Sequence, residues 1–222
     1  MTPDELIHHY PVLHHMAEYN SWPRIQQIGL RTTEQIVDAC QPDPATREAI
    51  LGQRRTRSFD LEHAVVGTVT IRDQKPLFLH NLAPKLTDVT VEQFLDLLNS
   101  RVFMWTHPDR LDRLDRLLGA NAYRRQRHDV LVLETASIVQ TYYDRIRLTG
   151  MNTGATIFPS SPPRGVESFM RISDFPFAER RKRLVDNVVE LCVIGGVDHI
   201  EDHVLQVQRR QGADVIETIY ER

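Results

Sequence analysis

The sequence predicts an α+β fold in which helices flank a mostly antiparallel β-sheet. Short apolar segments at 101–105, 130–133 and 188–193 have the length and the β-branched or aromatic content of strands. Amphipathic segments with helix caps lie among them. No repeat or interdomain linker interrupts the 222 residues. We therefore predict a single domain over residues 1–222.

The composition is that of a globular protein with a sizeable core. Hydrophobic residues make up 41% of the chain, and the formal net charge of -3 argues against a protein that coats nucleic acid through bulk charge. Cys40 and Cys192 both lie in apolar segments, which favours buried free thiols in a reducing compartment. The first residues do not resemble a leader peptide, and no segment reaches the length of a membrane span. We expect a cytoplasmic protein without membrane association.

Three capping boxes predict where helices begin. A threonine is followed three residues later by glutamate or glutamine at 2–5, 32–35 and 90–93, and each box precedes or overlaps an apolar periodic segment. A fourth helix is expected at 45–51, because the prolines at 42–44 first break the chain.

The stretch 13–30, LHHMAEYNSWPRIQQIGL, predicts a buried strand end, a tight loop and a short helix. The Asn-Ser pair at 20–21 can cap the helix, Pro23 suits its first turn, and Gly29 is a typical stop after the last apolar residue. A histidine at such a strand end, His15, faces the mouth of whatever cleft forms there.

The remaining chain is predicted to alternate between strands and helices. Further strands are expected at 64–71, 146–148, 204–207 and 215–219, and further helices at 109–118 and 136–143.

The longest irregular stretch, 149–165, contains Asn152 and Arg164. A loop of this length inside a compact domain is often functional, so both residues are candidates for substrate contact. The alternative is an ordinary surface loop. The basic run at 180–183, which includes Arg181, follows and allows two interpretations as well. It is either a solvated face or a patch that steers a polyanionic substrate.

Glu190 interrupts the apolar segment 188–193. A carboxylate between buried strand residues must be hydrogen-bonded or must face a cleft, which makes Glu190 a candidate catalytic residue. The alternative is a glutamate on the wet face of a half-buried strand.

Together these segments resemble the signatures of ADP-ribosyltransferases, most closely the DarT-like toxins that modify DNA bases. The first signature is similar to His15, Trp22-Pro23, Ile25 and Gly29-Leu30, and the last resembles the strand that carries Glu190. The strand at 101–105 resembles the middle signature, although the sequence has phenylalanine and tryptophan where many relatives have tyrosine. Ala17 also departs from the small hydroxyl residue that the family uses.

The resemblance implies a split antiparallel sheet and NAD as a substrate, without a metal. Glu190 would be catalytic, and Arg57 or Arg72 would be the essential arginine that holds the pyrophosphate. His15 would donate a hydrogen bond to a ribose, and Phe103 or Trp105 would stack on nicotinamide. The other implied contacts to NAD are Asn20, Gly29 and Leu30. The acceptor side would use Asn152, Arg164 and Arg181.

The partners that the resemblance implies are a nucleic-acid acceptor and a protein antitoxin or regulator. Two other functions remain open: an RNA 2′-phosphotransferase-like enzyme, and a non-catalytic descendant of the fold that binds a nucleotide or a protein. A metal site is a third alternative, built from the histidines at 8–9 and 14–15 or from His199 and His203. These histidines lack the order of the known HExxH and HxxEH motifs.

Overall fold

The computed structural model describes residues 1–110, 126–212 and 214–222, and it has an α+β architecture. The strands are β1 Val12–Glu18, β2 Phe59–His63, β3 Gly67–Ile71, β4 Arg101–Trp105, β5 Arg127–Glu134, β6 Ile146–Thr149, β7 Glu190–Ile194, β8 Val204–Gln211 and β9 Asp214–Glu221. Seven of them form one sheet in the order β6-β7-β4-β1-β5-β8-β9, and β2 and β3 form a separate hairpin. The pairings between these strands are all antiparallel, which confirms the predicted class of sheet.

The described helices are α1 Pro3–His9, α2 Trp22–Ile28, α3 Thr33–Cys40, α4 Pro44–Leu51, α5 Leu79–Leu82, α6 Val91–Asn99, α7 Thr135–Tyr142 and α8 Leu184–Asn187. All three predicted capping boxes are confirmed, at Thr2, Thr32 and Thr90. The helix expected at 109–118 lies largely outside the described residues. No described helix is long and apolar enough to cross a membrane.

The sheet is buried on both faces in its centre. Leu191 and Val193 of β7 belong to the largest core cluster, whereas Cys192 between them packs into a second cluster with α6. Glu190 starts this strand and is only 4% exposed. The alternative of a wet strand face for Glu190 is therefore wrong.

The hairpin of β2 and β3 corrects the prediction of one strand at 64–71. Residues 64–66 form the turn, and Gly67 has a φ of 72° at the start of β3. Leu61 and Ile71 pack with α3 and α4 in a third core cluster, while Asp60 and the other alternate residues face away from it. The strand at 59–63 was missed because its short alternation contains as many charged as apolar residues.

The sheet is weakly joined between β1 and β4. β1 pairs with β5 at every position from Val12 to Glu18, and β4 pairs with β7 along its whole length. Among the described residues, the register between β1 and β4 is a single pair, His14 with Trp105. Beyond that pair the C-terminal half of β1 and the N-terminal half of β4 separate, and a cleft opens between them.

Candidate functional site

A cavity of about 600 Å³ lies where β1 and β4 separate, and its volume is within the usual range for small-molecule sites. Residues 15–18 of β1 and 101–103 of β4 form two sides, and the hairpin of β2 and β3 forms another. The residues from the sequence analysis that line the cavity are His15, Asn20, Gly29, Leu30, Arg72, Phe103, Trp105, Asn152 and Glu190. The fold thus brings His15, from the N-terminal part of the sequence, and Glu190, from the C-terminal part, to one cleft.

Three of the expected site residues lie elsewhere. Arg57 is exposed outside the cavity, with its guanidinium 5.3 Å from the centre of the Phe59 ring. Arg181 is also exposed and lines neither of the two described cavities. Arg164 is buried, and protein carbonyl groups occupy its donors. Of the two candidates for the essential arginine, only Arg72 lines the cleft.

The loop between β1 and α2 is held by a buried carboxylate. Asp129 of β5 accepts a hydrogen bond from the backbone N–H of Trp22 at 3.3 Å and lies 3.4 Å from Nε of Arg209. Arg209 in turn donates to Oδ1 of Asn20 at 2.7 Å, and Asn20 has a φ of 62°. Ser21 makes no side-chain cap to α2, so the predicted capping role is wrong, and Asp129 and Arg209 order the loop instead.

Gly29 ends α2 as predicted, and its geometry allows no other residue. Its φ and ψ are 80° and 176°, a combination that is essentially restricted to glycine. A Cβ atom at this position would lie 2.6 Å from the carbonyl oxygen of Val197. This close approach lets Leu30 exchange backbone hydrogen bonds with Val197 and fixes the floor of the cleft.

His15 is neutral, and its tautomer is defined by one hydrogen bond. Nδ1 lies 2.8 Å from the carbonyl oxygen of Phe103, which can only accept, so Nδ1 carries the proton. Burial lowers the pKa of His15 to about 4, the Phe103 bond opposes that change, and the charge of Arg72 adds to it. Nε2 is therefore an acceptor. The expectation that His15 donates to a ribose is corrected, because its one proton is already committed.

Arg72 follows β3 and reaches across to β1. Its Nε is 3.7 Å from Oε2 of Glu18, and its Nη1 is 3.5 Å from the carbonyl oxygen of Met16. The guanidinium is partly exposed, and Arg72 lines the cleft.

Glu190 lies opposite Trp105 on β4 and Thr149 on β6. Its Oε2 accepts from the backbone N–H of Thr153 at 3.1 Å and from the Thr153 hydroxyl at 2.8 Å. The Thr149 hydroxyl is also 3.2 Å from Oε2, but its one proton has a shorter partner in the carbonyl oxygen of Met151 at 2.6 Å. Within the described residues, the hydrogen bonds of Glu190 all involve Oε2, so Oε1 can face a ligand.

Burial raises the pKa of Glu190, and the two hydrogen bonds from Thr153 and the charge of Arg164 lower it again in part. The net direction is upward. The carboxylate is therefore easier to protonate than an exposed glutamate, and its hydrogen bonds favour the ionised form against that trend.

Arg164 builds the loop that holds Glu190. Its Nε donates to the carbonyl of Thr153 at 3.3 Å, and its Nη2 donates to those of Asn152 and Ala155 at 3.1 and 2.6 Å. Nη1 adds the carbonyl of Pro162 at 2.9 Å. A side chain expected to bind substrate is instead the centre of the loop.

The sequence analysis did not identify Thr149 and Thr153 as partners of Glu190. Their position in a long loop, beside Asn152 and two glycines, was the feature that could have indicated them.

The aromatic residues of β4 are only partly buried. Phe103 lies 6.2 Å from Phe169 between ring centroids, and Trp105 stands next to Glu190 across the strand pair. Both rings retain surface in the cleft, where a planar ligand group could stack on either.

The cleft also has further cationic groups at its edges. Arg31 is paired with Asp198 at 2.5 Å, and Arg101 lies over the Phe169 ring at 4.9 Å.

In the described part of the chain, no group of three or more His, Cys, Asp and Glu side chains is placed to hold a metal ion. His199 and His203 do not share a helical face, because a short 3₁₀ turn over Ile200–Asp202 separates them.

Fold and site together define an α+β protein with a ligand-sized cleft between two halves of an antiparallel sheet. The chain belongs to a family of unknown function (DUF7002), whose model matches residues 11–204. The match includes all residues named above as lining the cleft. No curated protein matches the sequence.

Proposed function

We propose that the protein is an NAD-dependent ADP-ribosyltransferase with the split-sheet fold of that superfamily. The observation that supports this most is the convergence of His15, Arg72, Phe103, Trp105 and Glu190 on one cleft. His15, the aromatic residues of β4 and Glu190 resemble the family signatures separately in the sequence, and Arg72 is one of two candidates for the essential arginine. A shared cleft is what the family's chemistry requires.

The reaction transfers ADP-ribose from NAD to a nucleophilic acceptor. The bond between C1′ of the ribose and the nicotinamide nitrogen breaks, and nicotinamide leaves with the bonding electrons. Positive charge develops on the ribose, as in glycoside cleavage. The acceptor supplies the electron pair of the new bond and releases a proton to solvent.

Glu190 has the position and the chemistry to stabilise that charge. Oε2 is held by Thr153, so the free Oε1 is oriented before the substrate binds. A fixed carboxylate in a site shielded from water stabilises a developing cation more than a mobile one in solvent.

The other cleft residues would position NAD. Trp105 or Phe103 offers a face for the nicotinamide ring, and Nε2 of His15 can accept a hydrogen bond from a ribose hydroxyl. Arg72 can present its planar guanidinium to the pyrophosphate, which a lysine could not do with two parallel bonds.

The upward direction of the Glu190 pKa predicts how activity depends on pH. Only the ionised carboxylate stabilises the cation, so turnover should fall as the pH drops through a pKa above the ordinary value of 4.5.

The decisive test compares wild type with Glu190→Gln for NAD binding by calorimetry and for NAD turnover. We expect binding within a few-fold of wild type and turnover at least about a hundredfold slower, because one preorganised charge is lost. Glu167→Gln, at an exposed position outside the cleft, is the matched control and should behave as wild type. EDTA should leave the melting temperature unchanged, whereas NAD should raise it.

Equal turnover by wild type and Glu190→Gln would contradict the role of Glu190. Binding of NAD without turnover, with DNA, RNA and protein offered as acceptors, would favour a non-catalytic binding protein. Turnover only with 2′-phosphorylated RNA would favour the phosphotransferase. Mass spectrometry of nucleic acid and protein from cells that express the two forms would identify an ADP-ribosylated acceptor.

A further inference from the structure

A second cavity, of about 530 Å³, lies on the other side of the loop that holds Glu190. Gly150, Met151 and Ala155 line it, and Asn152 borders both cavities. Val189 faces the second cavity and the next residue, Glu190, faces the first. The two cavities are therefore separated by one loop and meet at Asn152.

The second cavity is positively charged. Its basic lining residues are Arg110, Arg164, Arg180 and Lys182, and its acidic one is Asp186. Asp186 is already engaged, at 2.6 Å from Arg110 and at 2.6 Å from Arg183. Within the described ranges, no carboxylate forms a salt bridge with Arg180 or Lys182. Their charge is available to an anionic ligand.

Arg180 is held in place at this cavity rather than freely mobile. Nε donates to Oδ1 of Asn187 at 3.1 Å, Nη2 donates to the carbonyl oxygen of Gly150 at 3.1 Å, and the guanidinium lies 5.4 Å from the centre of the Phe175 ring. The exposed Lys182 beside it can adapt to a ligand. A fixed guanidinium and a mobile ammonium suit a phosphate group.

The cavity also presents an exposed aromatic ring. Phe158 is 54% exposed and lines the cavity, so part of its ring is open to a ligand. Its backbone carbonyl accepts from the N–H and the hydroxyl of Ser161, so the turn that carries the ring is ordered. Cationic groups beside an open aromatic face are the features that bind single-stranded nucleic acid.

We propose that the second cavity binds a nucleotide of a single-stranded nucleic-acid acceptor. A phosphate lies against Arg180 and Lys182, a base stacks on Phe158, and the neighbouring nucleotide passes Asn152 to reach Glu190. The bound strand must contain at least two adjacent nucleotides, one in each cavity, because Phe158 lines the second cavity and Glu190 lines the first. The identification of the ligand as the acceptor rests on the proposed function, whereas the binding site itself does not.

The test is binding of a short, fluorescently labelled oligodeoxythymidylate, measured by anisotropy without NAD at an ionic strength of about 0.15 M, where charges away from the ligand are screened. Lys182→Glu and Phe158→Ala should each weaken binding about tenfold, since one stacked base or one phosphate contact contributes roughly that factor. Both side chains are exposed, so neither change should impair folding.

Two matched controls separate the cavity from general surface effects. Arg181→Glu reverses a charge in the same basic run but outside both cavities, and Val166→Ala shortens another exposed apolar side chain. Both should bind within about twofold of wild type, because exposed groups away from the ligand are only weakly coupled to it. If Arg181→Glu weakens binding as much as Lys182→Glu, the attraction is spread over the basic run and the cavity site is refuted.

Further arms of the experiment identify the ligand. Thymidine monophosphate and inorganic phosphate should compete only at much higher concentration than the oligonucleotide. Competition by the monophosphate at equal concentration would overturn the two-nucleotide span. Oligonucleotide binding without any NAD binding would reject the proposed function but keep the second site. NAD binding without oligonucleotide binding would reject the second site but keep the proposed function.

Discussion

At the scale of single residues, the candidate site depends on a buried arginine that touches no ligand. Arg164 donates to four backbone carbonyls, and through Thr153 it determines where Glu190 can place its carboxylate. Its charge also opposes the upward pKa of Glu190. Arg164 is thus a positioning residue for Glu190.

Arg164→Lys should destabilise the protein by about 2 to 4 kcal/mol, because lysine keeps the charge but cannot reach four carbonyls from one point. Urea unfolding measures this difference. Arg171→Lys, at an exposed position, should change the free energy of unfolding by less than about 0.5 kcal/mol. An Arg164→Lys protein as stable as wild type would mean that the loop does not depend on the guanidinium fork.

The sequence could identify some of these residues and not others. A glutamate inside an apolar strand is visible in the sequence, so Glu190 could be singled out as a candidate site residue. Arg164 and Thr153 were not assigned their roles, because a loop without periodicity does not reveal which of its polar groups turn inwards. The same limit applies to Arg57 and Arg72: Arg57 precedes β2 and lies outside the cleft, whereas Arg72 follows β3 and lines it.

At the scale of secondary-structure elements, local signals predicted the starts of three helices well. Capping boxes act within four residues, so the starts of α1, α3 and α6 follow from the sequence alone. The order of the strands in the sheet did not, because β1 lies between β4 and β5 through pairings between distant parts of the chain. The separation of β1 from β4 likewise has no local signature.

Gly29→Ala tests the junction between α2 and the cleft. The change should cost at least about 2 kcal/mol, since alanine is strained at this φ and ψ and its Cβ would lie 2.6 Å from the Val197 oxygen. Gly154→Ala is the control, because its Cβ would meet nothing closer than 3.9 Å. Thermal or urea unfolding of both variants provides the comparison. Equal stability of Gly29→Ala and wild type would show that the junction can relax.

At the scale of the whole molecule, buried histidines link stability to pH. Burial is the main cause that lowers the pKa of His14, His15 and His128 to about 4 in each case. Between that value and the ordinary value of 6.5, the unfolded chain binds more protons than the folded one. The stabilisation is complete above the unfolded pKa and is lost as the pH falls towards the folded one.

We therefore expect the free energy of unfolding to fall by roughly 2 kcal/mol per buried histidine between about pH 7 and about pH 5. Glu190 has the opposite sign, because its folded pKa is raised, and it offsets part of the loss. Urea unfolding at the two pH values measures the slope. His14→Phe should remove the contribution of one buried histidine, about 2 kcal/mol over this range, whereas a change at the exposed His8 should leave the slope unchanged. A flat profile would refute the burial of these rings.

The single pair between β1 and β4 also leaves two strand edges facing the cleft. Some of these peptide groups already serve side chains: the Phe103 carbonyl accepts from His15, and the Met16 carbonyl accepts from Arg72. Every amino acid except proline carries the same main-chain donor and acceptor, so alanine substitution of Met16, Arg101 or Val102 would leave this part of the recognition surface in place. Amide-to-ester replacement along these edges is the chemical change that would measure its contribution to binding.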